Sequence, residues 1–193
     1  SGKTLIYATV FGCRDKKAGS IIRDACVLAR NEGWPEDYER YFGNGQSDKT
    51  VGGPIRTRFY EALGLDKLLS KLEDIRQDTN GWVKALDGRY VPARTEHSAL
   101  AFLLQSAEAI ICKQWICDAY DTLIAKGFRW GWDGDFVFVG WIHDELQFAA
   151  PEAIIQQVAD IVTKCAVSTG PVLGFRVPLA SEASIGNNWA ETH

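Results

Sequence analysis

Hydrophobic positions recur with a helical period along most of the chain, and two short, nearly continuous apolar runs at 136–141 and 146–150 interrupt it. Residues 1–30 carry Leu5, Ile6, Thr9, Val10, Ile21, Ile22, Val27 and Leu28 at loose helical spacing, with breaks expected near Gly12 and Gly19. Residues 31–56 are punctuated by Gly33, Pro35, Gly43, Gly45, Gly52, Gly53 and Pro54, too many breakers for a regular element, and read as a loop-rich connection. From Thr57 to Asp78 the helical period returns through Phe59, Leu63, Leu68, Leu69, Leu72 and Ile75, with Gly64 separating a short helix from a longer one.

Asn80-Gly81 ends that pattern. The runs 82–86 and 89–91 then flank Asp87-Gly88, the dipeptide favoured by a tight two-residue hairpin turn. Residues 96–126 form the longest helical pattern, stopped at Lys126-Gly127, and would reach about 45 Å if unbroken. Pro151-Glu152 opens another helix whose stripe is Ile154, Ile155, Val158, Ile161, Val162 and Cys165, ending at Gly170. Between these two helices, 136–141 and 146–150 read as strands folded back on each other through His143-Asp144-Glu145. Their odd and even positions are both apolar, which predicts a hairpin covered on both faces inside a sheet. The fold class is α+β: helices first, then a hairpin-bearing antiparallel sheet backed by helices.

That hairpin holds the most informative chemistry. Burying a carboxylate between apolar strands costs several kcal/mol unless something compensates, and a divalent cation is the natural compensator. A polar turn in which Asp144 bonds its own backbone is the alternative. Asp133-Gly134-Asp135 has the spacing of hard-cation clusters, but a solvated turn is the preferred reading.

Composition narrows the class. A chain of 193 residues, 46% hydrophobic and 24% charged, can bury one good core or two small ones. No apolar run approaches the roughly 18–20 residues of a membrane span and no secretory leader is visible, so no membrane partner is expected. Cys13, Cys26, Cys112, Cys117 and Cys165 are odd in number and lack a CxxC pair, which reads as reduced thiols in a cytoplasmic protein. Cys112 and Cys117, five apart, fall on different helix faces and do not form a metal pair. The net charge of −4 argues against coating nucleic acid by bulk electrostatics. Local basic groups remain, namely Lys3, Arg14, Lys16, Lys17 and Arg23, then Arg89 with Arg94, whose bland reading is a solvated helix face. The absence of Met and the initial Ser1 are read as a trimmed, engineered or processed end.

Several stretches together resemble the C-terminal part of the family A (Pol I-like) DNA polymerases, in particular their podophage replicative branch. They are 86–91, Arg94 with His97, 103–107, 131–136, His143-Asp144-Glu145 and Asn188-Trp189-Ala190. The resemblance covers residues 1–20 and about 82–193 in the family's order and is poor over 31–80. It implies a helical fingers segment (1–81) joined to the C-terminal part of a palm (82–193).

Lys3-Thr4-Leu5-Ile6-Tyr7 with Phe11-Gly12 is similar to the fingers helix called motif B. This implies that Lys3 meets the triphosphate of the incoming dNTP, that Tyr7 lies against its sugar and base, and that Phe11 completes the nucleotide-binding face. His143-Asp144-Glu145 is similar to motif C of the palm. Asp144 would then ligate catalytic Mg²⁺, with Glu145 supporting it and His143 beside the primer–template. Gln105 and Arg94 match positions that contact the primer–template near its growing end, where minor-groove acceptors are shared by all correct pairs. His97 is either a DNA-phosphate contact or a plain first-turn residue.

The family's second catalytic Asp, in motif A, lies upstream of motif B. The resemblance therefore implies a partner, an upstream polymerase fragment carrying that Asp, without which the chain is inactive. With Ser1 available as the nucleophile that splicing needs, the chain is expected to be the downstream half of a split polymerase joined by a split intein; a laboratory cut or a Ser-Gly processing remnant is the alternative. Ala8, Phe11 and Ala101 depart from the family's usual Gly, Tyr and Asn, which bears on insertion efficiency and fidelity. The competing functions are a catalytically silent DNA-binding remnant and an unrelated metal-dependent phosphohydrolase using Asp144, Glu145 and His143. The expected location is cytoplasmic, in the host if the protein is phage-encoded.

Overall fold

In the computed structural model, residues 2–192 are described, Glu96 and His97 by their backbone alone; Ser1 and His193 lie outside the described residues. The chain forms two compact units, 1–104 and 105–193. The helices are α1 (Gly2–Val10), α2 (Asp15–Asn31), α3 (Glu36–Phe42), α4 (Asp48–Leu63), α5 (Leu65–Asp78), α6 (Glu96–Ala125), α7 (Ile155–Val172) and α8 (Trp189–Thr192). The strands are β1 (Trp82–Lys84), β2 (Tyr90–Pro92), β3 (Val137–Ile142) and β4 (Glu145–Ala149), paired as two separate antiparallel hairpins. The architecture is α+β, as the periodicity predicts. The compact units divide within α6, so the β1–β2 hairpin belongs to the same unit as the N-terminal helices.

In the first unit, the glycines expected to break structure instead bring two helices together. Gly19 lies inside α2 and Gly52 inside α4. A Cβ on Gly19 would stand 1.8 Å from the Asp48 carbonyl oxygen, and one on Gly52 would stand 2.0 Å from that of Asp15. The backbones of α2 and α4 touch at these points, which only glycine permits. Asp15 and Asp48, at the first turns of the two helices, each accept an ion pair from the other helix: Arg56 Nε to Asp15 at 2.7 Å and Arg23 Nε to Asp48 at 2.6 Å. The Arg23 guanidinium also lies 4.0 Å from the centroid of the Phe42 ring, which is buried with Cys26 and Val51.

The loop-rich connection expected over residues 31–56 is thus largely helical. The Ser47 hydroxyl caps α4 by accepting from the Thr50 amide at 3.2 Å, and Gly52, Gly53 and Pro54 continue the helix. Breaker counts mislead there because packing against α2 offsets the weak helix propensity of the glycines. Gly64, at φ +63°, closes α4 in the left-handed conformation and starts α5, as expected.

Leu72 of α5 is buried with Val83, Ala93, Ala99 and Leu100, seating the β1–β2 hairpin. Its turn differs from the expected two-residue form. The Ala85 amide donates to the Arg89 carbonyl at 2.8 Å, enclosing Leu86-Asp87-Gly88 as a three-residue loop with Gly88 at φ +87°. This is the type I turn plus bulge that places Gly, not Asp-Gly as a pair, at the left-handed position.

The second unit packs α7 and the β3–β4 hairpin on α6. Its core is Ala119, Leu123, Phe136, Val158, Val162 and Cys165. Burying a ring such as Phe136 contributes about 2–3 kcal/mol. Trp115 donates its indole N–H to the Val162 carbonyl at 2.7 Å, tying α6 to α7. Residues 98–125 of α6 are long and apolar enough, by length and composition, to cross a membrane; Leu100, Ile110, Cys112, Ala119 and Leu123 of that stretch are buried within the protein. Helix α7 begins at Ile155, after a turn at Pro151, and runs on through Gly170-Pro171 to Val172, so it both starts and ends later than its pattern predicts.

The β3–β4 hairpin is not covered on both faces. It has two strands, with a bulge at Val139 between the pairs Phe138↔Phe148 and Gly140↔Gln147. Phe138 and Phe148 pair at 5.4 Å on the face whose Phe148 packs against the core. Val139 and Trp141 are 56% and 37% exposed. Apolar residues on both faces therefore mark a strand with one face on this core and one uncovered among the described residues.

Two outcomes test this packing. Gly52→Ala should lower the stability of the chain by about 2–3 kcal/mol through overpacking of α2 on α4. Gly53→Ala, whose Cβ would meet nothing closer than 3.5 Å, should be neutral or stabilising by up to about 1 kcal/mol; chemical denaturation compares them. Glu73 accepts two hydrogen bonds from Arg76, at 2.6 Å each, and one from Gln77, which lower its pKa from 4.5 to about 2. A lowered folded-state pKa means that its contribution is present above the unfolded value and is lost as pH falls from about 4.5 through 2. Carboxyl titration by NMR should find Glu73 near 2, and Arg76→Ala should return it toward 4.5.

Candidate functional site

Strand pairing continues to Ile142↔Glu145, leaving His143 and Asp144 as a two-residue turn. Such a turn needs positive φ, and His143 supplies it at +54°. For a residue with a Cβ this conformation costs about 1–2 kcal/mol. Two donors hold it. The Trp141 indole N–H and the Cys112 thiol, the latter at 3.6 Å, both donate to the His143 carbonyl. Glu145 is held by the side-chain amide of Gln147, which donates to its carboxylate. Asp144 is exposed at the tip, and its carboxylate enters no ion pair among the described residues.

The thiol comes from α6. Gln105, Glu108 and Cys112 are spaced three and four apart and share one face of that helix. Burial pushes the Cys112 thiol up, and the carboxylates of Glu108 and Asp144 push it further, so it stays protonated and able to donate. Gln105 stands two turns earlier on this face, about 10 Å along the axis from Cys112, and is exposed. The second unit therefore brings His143, Asp144 and Glu145 together and sets Gln105 on the helix face that reaches their turn.

In the first unit, Lys3, Tyr7 and Phe11 form a single exposed stripe along α1 and the turn after it. Lys3 Nζ lies 5.8 Å from the Tyr7 ring centroid, and the Tyr7 and Phe11 rings stack at 6.5 Å with 16° between planes. Tyr7 is 53% exposed and Phe11 44%. The opposite side of α1 is anchored: Thr9 is buried, and its carbonyl accepts from the Tyr60 hydroxyl of α4 at 3.2 Å. A cation followed by two aromatic faces can receive an anionic group joined to a planar ring.

Arg94 is exposed just before α6, in the first unit. The side chain of His97, and Ser1 with its expected splicing role, lie outside the described residues. Asp133-Gly134-Asp135 is a structural turn: the Asp135 carboxylate accepts from the Arg129 side chain at 3.2 Å and its amide at 2.8 Å, which hold its pKa below the usual range. Among the described residues no group of three or more His, Cys, Asp or Glu is arranged to hold a metal by itself.

The supports carry no mark in the sequence: Cys112, which reads as a reduced thiol, and Trp141, which reads as a strand residue, both hold the turn. Tyr60 was missed for α1. No local pattern marks a donor whose acceptor lies elsewhere in the chain.

The sequence profile of DNA polymerase family A matches residues 78–191. The chain is 34% identical over 194 aligned residues to the DNA-directed DNA polymerase of Enterobacteria phage T3, and 34% identical over the same length to that of Escherichia phage T7. Each alignment takes in 100% of this chain and 26% of the phage protein, so the chain spans about a quarter of the length of these relatives. In fold it is similar to the POL domain of Pol1 from M. smegmatis, solved in complex with DNA primer-template and dNTP. That likeness has a TM-score of 0.60 at 18% identity, over 98% of this chain and 30% of that one. With a profile match over more than half its length, the chain belongs to DNA polymerase family A.

Proposed function

We propose that this chain is part of a template-directed DNA polymerase, with residues 1–81 serving as a fingers segment and residues 82–193 as the C-terminal part of a palm. The observation that carries the reading is the exposed Asp144 carboxylate, in no ion pair among the described residues, on a braced two-residue turn inside the stretch that the family profile matches. The phage relatives support DNA and nucleotide as partners and the host cytoplasm as location.

The donor set fits a hard divalent cation at one position. Asp144 offers free carboxylate oxygens to water, whereas Glu145 is engaged by Gln147 and serves as a support. Bound Mg²⁺ would supply activation of the primer 3′-hydroxyl and charge stabilisation on the leaving pyrophosphate, with Asp144 as this chain's ligand. One carboxylate does not hold two ions by itself, so the pair would need a second carboxylate, which an upstream polymerase segment would supply. Lys3 then pairs with the triphosphate, Tyr7 and Phe11 receive the sugar and base, and Gln105, Arg94, His97 and His143 meet the primer–template. The self-contained phosphohydrolase reading lacks a cage of ligands among the described residues. A silent DNA-binding remnant predicts binding that no added segment converts into synthesis.

The test is primer extension by this chain complemented with a family A segment bearing the second carboxylate. Extension should depend on both components. Asp144→Ala should lower it by about 10³-fold or more, and Lys3→Ala should lower kcat/KM for nucleotide by about 10²-fold; near-normal turnover of Asp144→Ala would remove the metal-ligand role. Tyr7→Phe deletes a hydroxyl that can replace the missing 3′-hydroxyl of a dideoxynucleotide. It should raise discrimination against dideoxynucleotides about 10-fold, and equal discrimination by both forms would reject the role given to Tyr7.

A further inference from the structure

The turn that presents Asp144 is held from one atom. The His143 carbonyl oxygen receives the Trp141 indole N–H from two residues earlier on β3 and the Cys112 thiol from α6. One donor is local to the hairpin and the other lies 31 residues away, so together they fix the peptide plane following His143 both within the hairpin and against the helix. That plane contains the Asp144 nitrogen, so its orientation sets where the Asp144 side chain points. His143 is at φ +54°, a conformation that residues with a Cβ leave readily unless the surroundings over-determine it. Of the described residues apart from glycine, only Asn80 shares a positive φ. Asn80 follows the C-terminus of α5, a common place for such a residue. At His143 the strain sits instead beside the carboxylate in question.

The burial pattern matches a supporting role. Cys112 is 3% exposed beneath the turn, while His143 and Asp144 are exposed above it. Trp141 keeps 37% of its surface open, so its ring is only partly covered while its N–H turns back to the backbone. A thiol is a weak donor and an indole N–H a stronger one, so the indole supplies most of the hold and the thiol ties it to α6.

We propose that Cys112 and Trp141 are positioning residues that clamp the His143 carbonyl and so pre-set the direction of the Asp144 carboxylate for metal binding. This rests on the reading of Asp144 as a metal ligand. A ligand fixed before the metal arrives loses less conformational freedom on binding than one on a free turn. The clamp therefore acts on metal affinity and on the rate of the chemical step, without touching nucleotide.

The test uses the whole chain and has two readouts. Backbone ¹⁵N relaxation of the free chain should give order parameters near 0.85 at residues 143–145, falling below about 0.6 in the double variant Trp141→Phe, Cys112→Ala. Trp132→Phe makes the same ring change at a 79% exposed loop residue and should leave them unchanged. In the complemented polymerase, Trp141→Phe should raise the Mg²⁺ concentration for half-maximal rate by about 10-fold, and Cys112→Ala by about 3-fold, with the KM for dNTP within about twofold of the parent. Excess Mg²⁺ should restore much of the rate, which a merely structural defect would not allow. Should Trp141→Phe lose its cooperative unfolding transition, Cys112→Ala decides alone. A rigid turn in the double variant together with unchanged Mg²⁺ dependence, while Asp144→Asn is inactive, overturns the clamp and leaves the polymerase reading standing. Full activity of Asp144→Asn would instead overturn that reading.

Discussion

The second unit is organised around holding a charged carboxylate in water at the end of an apolar ribbon. Transfer of an unpaired carboxylate into the protein interior is prohibitive, so the strands on either side of Asp144 can be greasy only if the turn itself stays outside. Phe136 and Phe148 anchor the ribbon to the core formed by α6 and α7. The two-residue turn at Ile142↔Glu145 then lifts Asp144 clear of it. The strand pairing, the left-handed His143 and the donors from Trp141 and Cys112 all serve that separation of an apolar base from a polar tip.

A different constraint governs the first unit. There the exposed stripe of Lys3, Tyr7 and Phe11 requires that the rest of α1 be pinned, which the buried Thr9 and the Tyr60 hydroxyl accomplish. Tyr60 is placed in turn by α4, and α4 by its backbone contact with α2 through Gly19 and Gly52. The reciprocal ion pairs Arg23–Asp48 and Arg56–Asp15 fix the register of that contact; being partly exposed, each stabilises only modestly. Their consequence is geometric: a one-turn slip would separate both pairs and drive a residue with a Cβ into the crossing.

Periodicity located α5, α6, both hairpins and the α+β class because each has a face that must be buried, and burial leaves its period in the sequence. It misjudged the stretch 31–56 because Gly52-Gly53-Pro54 has the composition of a loop, while the reason for Gly52 lies in its contact with Asp15 and Gly19 of α2. It overestimated the cover of β3–β4, since Val139 and Trp141 are apolar and yet exposed. Asp144 and its neighbours were legible as a motif, and their place on the turn as the polar triplet between two apolar runs. Cys112 and Trp141 were not, because a hydrogen bond to a backbone carbonyl demands no particular partner side chain and so writes no pattern.

Under the proposed function, the β3–β4 turn offers Asp144 as a metal ligand. Paramagnetic line broadening by Mn²⁺, mapped over the amides of the ¹⁵N-labelled chain in the complemented polymerase with primer–template, tests it directly. The strongest broadening is expected at residues 143–145, abolished by Asp144→Asn. Broadening centred on Asp133 and Asp135, with residues 143–145 unaffected, would contradict it.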